Sequence, residues 1–291
     1  MSLFACKKDH KAEPTDPHQI AVTRHVTAGG INYAYRELGN RSGIPVVMVA
    51  PLGSSMDDWD PAVTNGLAQQ YKVILFDLPG AGGSDGTTPD SIAGMATDVR
   101  AFIKALGWQK VNLVGFSLGS FISQQIALTE PGLVNKMVLT GTGPKGATGL
   151  SNLTNLLAAG ANLTAEENFL FFGFTTSASS LAAGKASWER IHQRTVNRDA
   201  AVSQASAGAQ VAAVLKWAQP YDAAAAELKT ITQPVLIVQG EKDVPVPVVN
   251  AQFMAANIPD AKLIVYPDAA HASLFQNPDD FVKSVTAFLG K

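Results

Sequence analysis

Short, almost uninterrupted apolar runs recur along this 291-residue chain, at 46–49, 73–76, 111–114, 137–139, 235–238 and 263–265, with Asn112 the one polar residue among them. A strand with water on one face alternates apolar and polar residues. An uninterrupted run needs cover on both faces, as the strands of a parallel sheet have. Helical periods fill the gaps between the runs. The clearest sets Ile92, Met95, Ala96, Val99, Phe102, Ile103 and Leu106 on one helical stripe. Residues 20–27 and 31–37, split by Ala28-Gly29-Gly30, read as a hairpin ahead of these units. The pattern predicts an α/β fold, a doubly wound and mostly parallel sheet of eight strands.

Residues 144–230 break the rhythm. They are Ala-rich, keep helical spacing, hold no strand-like run and carry Phe169, Phe171, Phe172, Phe174, Trp188 and Trp217. An insertion this long in a compact α/β chain is expected to be a helical lid, placed after the sixth strand. Residues 20–143 and 231–291 then form the core. Residues 1–19 are charged, lack an apolar period and read as a disordered tail. Within them Leu3-Phe4-Ala5-Cys6 resembles the end of a bacterial lipoprotein signal, without the apolar stretch that precedes such a site. The expected location is therefore soluble and cytoplasmic, or a cell-envelope lipoprotein anchored at Cys6 if the native start lies upstream.

A formal net charge of −2 gives no basic surplus for phosphates, so nucleic acid is not an expected partner. One Cys makes neither an internal disulfide nor a Cys-rich zinc site. The longest apolar stretches are broken by Pro or Gly well short of a membrane span.

The chemistry sits at Gly115-Phe116-Ser117-Leu118-Gly119. A strand run precedes it, and Leu118, Phe121, Ile122 and Ile126 follow at helical spacing. That strand–turn–helix setting holds a serine on a sharp turn at the carboxyl end of a sheet. A helix starting there also points free N–H groups at a developing negative charge. A serine hydroxyl needs a base, and the base needs an orienting acid. Of the five histidines, His271 alone sits in a loop after a late strand. The acid is expected after the strand at 235–238, where Glu241 and Asp243 both stand. Asp243 lies deeper in the loop and is followed by Pro245 and Pro247, which stiffen it.

From Val22 to Leu289 the sequence resembles the α/β-hydrolase fold superfamily. Residues 115–143 are similar to capped bacterial enzymes of its esterase, lactonase and cofactor-free haloperoxidase group. The resemblance implies Ser117 as nucleophile, Asp243 as acid, His271 as base and no cofactor or metal. Where the family often has His-Gly after its third strand, this chain has Ala50-Pro51-Leu52-Gly53, similar to the Ser-Leu-Gly form of enol-lactonases. The implied oxyanion hole is the backbone N–H of Leu52 with that of Leu118, since Pro51 has no N–H. Pro79 stands where the family commonly has a structural Arg.

Two strings look like other chemistry. Residues 80–86, GAGGSDG, follow a strand, but Asp85 stands where a dinucleotide fingerprint needs its third glycine. Asp57, Asp58 and Asp60 lack a His or Cys to complete a metal site and are expected to favour the start of the next helix. Trp59 is expected near the pocket mouth, with Phe171, Phe172 and Trp217 contacting the acyl or ring portion of a substrate. The expected function is hydrolysis of a small carboxylic ester or lactone by water. The alternatives are perhydrolase or haloperoxidase chemistry on the same residues, or a catalytically silent ligand-binding protein of this fold.

Overall fold

The computed structural model describes residues 16–290, so Cys6 and the lipoprotein reading lie outside the described residues. Eight strands form one sheet: β1 Arg24–Ala28, β2 Ile31–Leu38, β3 Val46–Val49, β4 Val73–Phe76, β5 Val111–Phe116, β6 Val134–Thr140, β7 Val235–Gly240 and β8 Ala261–Tyr266. Their spatial order is β1-β2-β4-β3-β5-β6-β7-β8. The β1–β2 and β2–β4 pairs are antiparallel and the rest parallel, as the hairpin followed by uninterrupted runs requires.

Successive residues of β3 show why the runs do not alternate. Val47 and Val49 enter one core layer, while Val46 and Met48 enter the other. Helices α3 (Ile92–Ala105) and α4 (Leu118–Thr129) cover the first face through Val99, Phe102, Phe121 and Ile122. Helix α10 (Val248–Asn257) joins them through Met254. On the second face, α2 (Pro61–Ala68) packs against α12 (Pro278–Leu289), burying Val63, Leu67, Phe281 and Val285. The predicted stripe of α3 is the buried one.

The residues between β6 and β7 contain helices and no strand. These are α5 (Leu153–Gly160), α6 (Ala165–Gly173), α7 (Ala178–Ile191), α8 (Gln204–Trp217) and α9 (Ala224–Leu228). Because β3 pairs with both β4 and β5, the chain leaves β3 to one side and later returns on the other. The crevice outside the carboxyl ends of two such strands is where α/β sheets bind ligands.

Residues 17–19, expected to belong to the tail, are ordered. Pro17–Ile20 forms a helical turn, α1, capped by the Asp16 side chain. His18 is buried with its Nδ1 on Thr64 Oγ1 at 2.9 Å. Arg194 holds this segment by donating to the carbonyls of His18, Gln19 and Ala21. With those acceptors taken, the first strand begins at Arg24 and not at residue 20. No helix among the described residues is long and apolar enough to cross a membrane.

Candidate active site

Ser117 follows β5 and immediately precedes α4, with φ 52° and ψ −117°. A non-glycine residue at positive φ is strained and persists only where its surroundings hold it. Here its N–H donates to Thr140 O at 2.9 Å, and its carbonyl accepts from Ser120 N–H and the Ser120 hydroxyl. The two flanking glycines are spatial necessities. A Cβ on Gly115 would stand 2.5 Å from Gly119 O, and one on Gly119 would overlap Val49 O at the end of β3. The elbow is thus pressed onto the neighbouring strand, beside the loop that continues through Pro51 and Leu52.

His271 lies in the loop after β8 and Asp243 in the loop after β7, and the two meet. His271 Nδ1 and Asp243 Oδ2 are 2.8 Å apart. With Nδ1–H donating, Nε2 is left as an acceptor. Three of the carboxylate's four lone-pair directions are taken. Oδ2 also accepts from Gln239 Nε2 at 2.7 Å, and Oδ1 from Val246 N–H at 2.8 Å. Gln239 in turn donates to Val246 O and accepts from Thr142 N–H, so one buried amide ties the acid loop to the end of β6. Glu241, the other candidate, is exposed and pairs with Lys242 at 3.4 Å. The fold brings Asp243 to His271 and turns Glu241 to water. Phe116 packs on the imidazole at 5.1 Å between ring centroids.

A cavity of about 590 Å³ opens above the strand ends, and Leu52, Ser117 and His271 all line it. Leu118 follows Ser117 but is not among the lining residues, and its side chain is buried in the core. As the first residue of α4, Leu118 has an N–H with no intrahelical acceptor. Neither it nor the Leu52 N–H donates to another described residue. The apolar wall comes from the insertion, chiefly Leu153, Leu157, Phe169, Phe172 and Trp188, with Phe275 facing them from the core.

Three of the expected pocket residues lie elsewhere. Trp59 is 1% exposed and sits behind the wall, against Phe116 and Phe275. Phe171 points outward at 46% exposure, while its neighbour Phe172 turns in. Trp217 stacks on Phe121 of α4 and donates from Nε1 to Gly143 O, which takes its ring into the core. Phe169 and Trp188 belong to the cavity instead. Their inward turn depends on how α6 and α7 pack on each other, which spacing within either helix does not reveal.

The aspartates around Trp59 separate. Asp60 caps α2 and also holds Ser187 and Arg190 of α7. Asp58 closes a capping box with Ser55 and pairs with Arg198 at 3.3 Å. Asp57 is a correction to the helix-start reading: it is fully buried against the Arg36 guanidinium and accepts from Asp199 N–H. Burial pushes Asp57 up, but Arg36 and the hydrogen bonds it accepts hold it below the usual carboxylate range. Asp199, 3.5 Å from the same guanidinium, is compensated less. Burial, then the negative charges of Asp77 and Asp57, push it up to about 8. The glycine-rich string wraps Asp77 and leaves no phosphate cradle. That carboxylate accepts from Met56 N–H at 2.7 Å and Gly83 N–H at 2.8 Å, and a side chain on Gly82 would collide with it.

The α/β-hydrolase fold family model matches residues 44–278. A solved α/β-hydrolase fold protein from Chitinophaga pinensis is 38% identical, covering 94% of this chain and 98% of its own, with a TM-score of 0.91. Est816, described as an N-acyl homoserine lactone degrading enzyme, is 27% identical over 91% of this chain and all of its own, with a TM-score of 0.68. The pimeloyl-(acyl-carrier protein) methyl ester esterase of Nitrosomonas europaea is 28% identical over 84% of this chain and 96% of its own.

Proposed function

We propose, from the premise that this chain belongs to the α/β-hydrolase fold family, that it is a serine hydrolase cleaving a carboxylic ester or lactone. The observation that carries the reading is the hydrogen-bonded His271–Asp243 pair, whose histidine lines the same cavity as Ser117. His271 Nε2 takes the Ser117 proton as Oγ attacks the substrate carbonyl. Asp243, fixed by three donors, holds the imidazole tautomer and steadies the imidazolium. The Leu52 and Leu118 N–H groups receive the oxyanion, each worth about 2.7–4 kcal/mol at the transition state. The imidazolium then protonates the leaving alkoxide, and water, activated by the same base, releases the acid.

Residues 144–230 act as the lid, supplying the apolar surface that selects the acyl or ring portion. The lactone and methyl ester chemistry of two relatives supports this substrate class. The test uses a panel of p-nitrophenyl esters and lactones with a fluorophosphonate probe. Turnover is expected in the wild type, with the label on Ser117, and Ser117→Ala is expected to lose both while melting at the wild-type temperature. A Ser117→Ala protein that kept more than about a tenth of the turnover would sink the assignment.

A further inference from the structure

Helix α8 belongs to the insertion, yet three polar contacts strap its buried face to loops at the carboxyl ends of core strands. Near its start, Ser206 Oγ donates to Thr88 Oγ1, whose own hydrogen goes to Pro79 O in the loop after β4. At its end, Trp217 Nε1 donates to Gly143 O after β6. Between them, Gln210 Oε1 accepts from Gly53 N–H after β3 at 2.7 Å. Gln210 is fully buried, and its Nε2 has no partner among the described residues.

Gly53 N–H neighbours the Leu52 N–H assigned to the oxyanion. Within the loop Ser54 N–H donates to Pro51 O at 3.3 Å, and the bond from Gly53 N–H to Gln210 fixes the peptide plane next to that of the Leu52 N–H. Leaving the Gln210 Nε2 unpaired in the interior is costly, and a smaller apolar residue would avoid that cost. The retained amide therefore points to the bond made by its oxygen. We infer that Gln210 is a positioning residue that holds the oxyanion loop in register, and that α8 is a fixed strut of the reaction centre. This rests on the acyl-transfer reading above.

The experiment compares wild type, Gln210→Met and Gln210→Glu with p-nitrophenyl acetate, together with amide exchange at Gly53. Met keeps the length and removes the acceptor, whereas Glu, neutral at this buried position, keeps a C=O acceptor and has one O–H in place of the amide NH2. Gln210→Met is expected to lower kcat by about 10- to 100-fold with KM within about twofold, because it loosens a transition-state contact and leaves substrate contacts alone. Gln210→Glu is expected to recover most of that loss. Gly53 N–H should exchange slowly in the wild type and faster in Gln210→Met. Wild-type kcat in Gln210→Met, equal losses in both variants, or a wild-type Gly53 amide that exchanges freely would each overturn the inference. The last measurement holds even if a variant fails to fold. A wild type with no turnover and no fluorophosphonate label would instead bring down the hydrolase reading, and this inference with it.

Discussion

At Asp243 three donors converge on one carboxylate, and each comes from a different kind of group: a ring nitrogen, a side-chain amide and a backbone N–H. Such a carboxylate is held in one orientation, which is what orienting an imidazole demands. Asp243→Asn is expected to lower kcat by roughly a thousandfold or more with little change in KM. Glu241→Gln should stay within about twofold, since its side chain reaches water and an exposed lysine. Steady-state kinetics on one chromogenic ester decides between them. A second carboxyl gives a different readout. Asp199 ionises near 3.8 when unfolded and near 8 in the fold, so across that interval the native state keeps a proton the unfolded chain has lost. Its contribution is complete below about pH 4 and vanishes as pH rises through about 8. Asp77, raised by burial to about 6, acts in the same sense at lower pH, and His18, lowered by burial to about 4, acts oppositely below 6.5. Between pH 7 and 9 the effect of Asp199 stands alone among these three groups. The melting temperature is expected to fall over that window, and Asp199→Asn, which cannot ionise, should remove most of the fall.

Among the elements, α6 and α7 bring aromatic rings to the cavity, where α8 brings only Val214. Phe172 and Trp188 face the cavity from them, while the large ring of α8, Trp217, is spent on Phe121. Truncating a ring that touches the substrate removes apolar contact, and such contact discriminates by about 1–3 kcal/mol per methylene. Phe172→Ala and Trp188→Ala are therefore expected to raise KM for medium-chain esters by about tenfold or more. The same variants should leave kcat for p-nitrophenyl acetate close to wild type. Trp217→Ala should instead lower the melting temperature, through the cavity left against Phe121. A chain-length series run beside thermal melts separates the two classes of variant.

The molecule as a whole was legible in its sequence wherever one local rule governed a whole element. Residues 46–49 and 73–76 coincide with β3 and β4 because every side chain there is buried, leaving no polar residue to obscure the run. β6 starts three residues before its apolar run, at Val134. Asn135 and Lys136 find remote partners, Asn112 Oδ1 and the carbonyls of Phe288 and Leu289, that nothing local announces. Ser117, His271 and Asp243 could be nominated because nucleophile chemistry restricts both residue type and chain order, and the fold brings Asp243 to His271 beside the cavity that Ser117 lines. Gln239 and Gln210 could not, since a glutamine in a core looks like any other polar residue until its partners are known. The pocket wall was misread at Trp59, Phe171 and Trp217 for a related reason: facing is decided by packing between helices.

Every group assigned to the chemistry stands on one rim of the sheet, in loops after β3, β5, β7 and β8. The opposite rim carries exposed turns such as Gly107–Lys110 before β5 and Pro131–Gly132 before β6. A handle attached at Lys110 or Gly132, whether a fusion partner, a dye or a covalent link to a bead, would leave the cavity mouth facing the solution. The protein is built with a working end and a holding end, and immobilisation through the second should leave turnover per molecule unchanged.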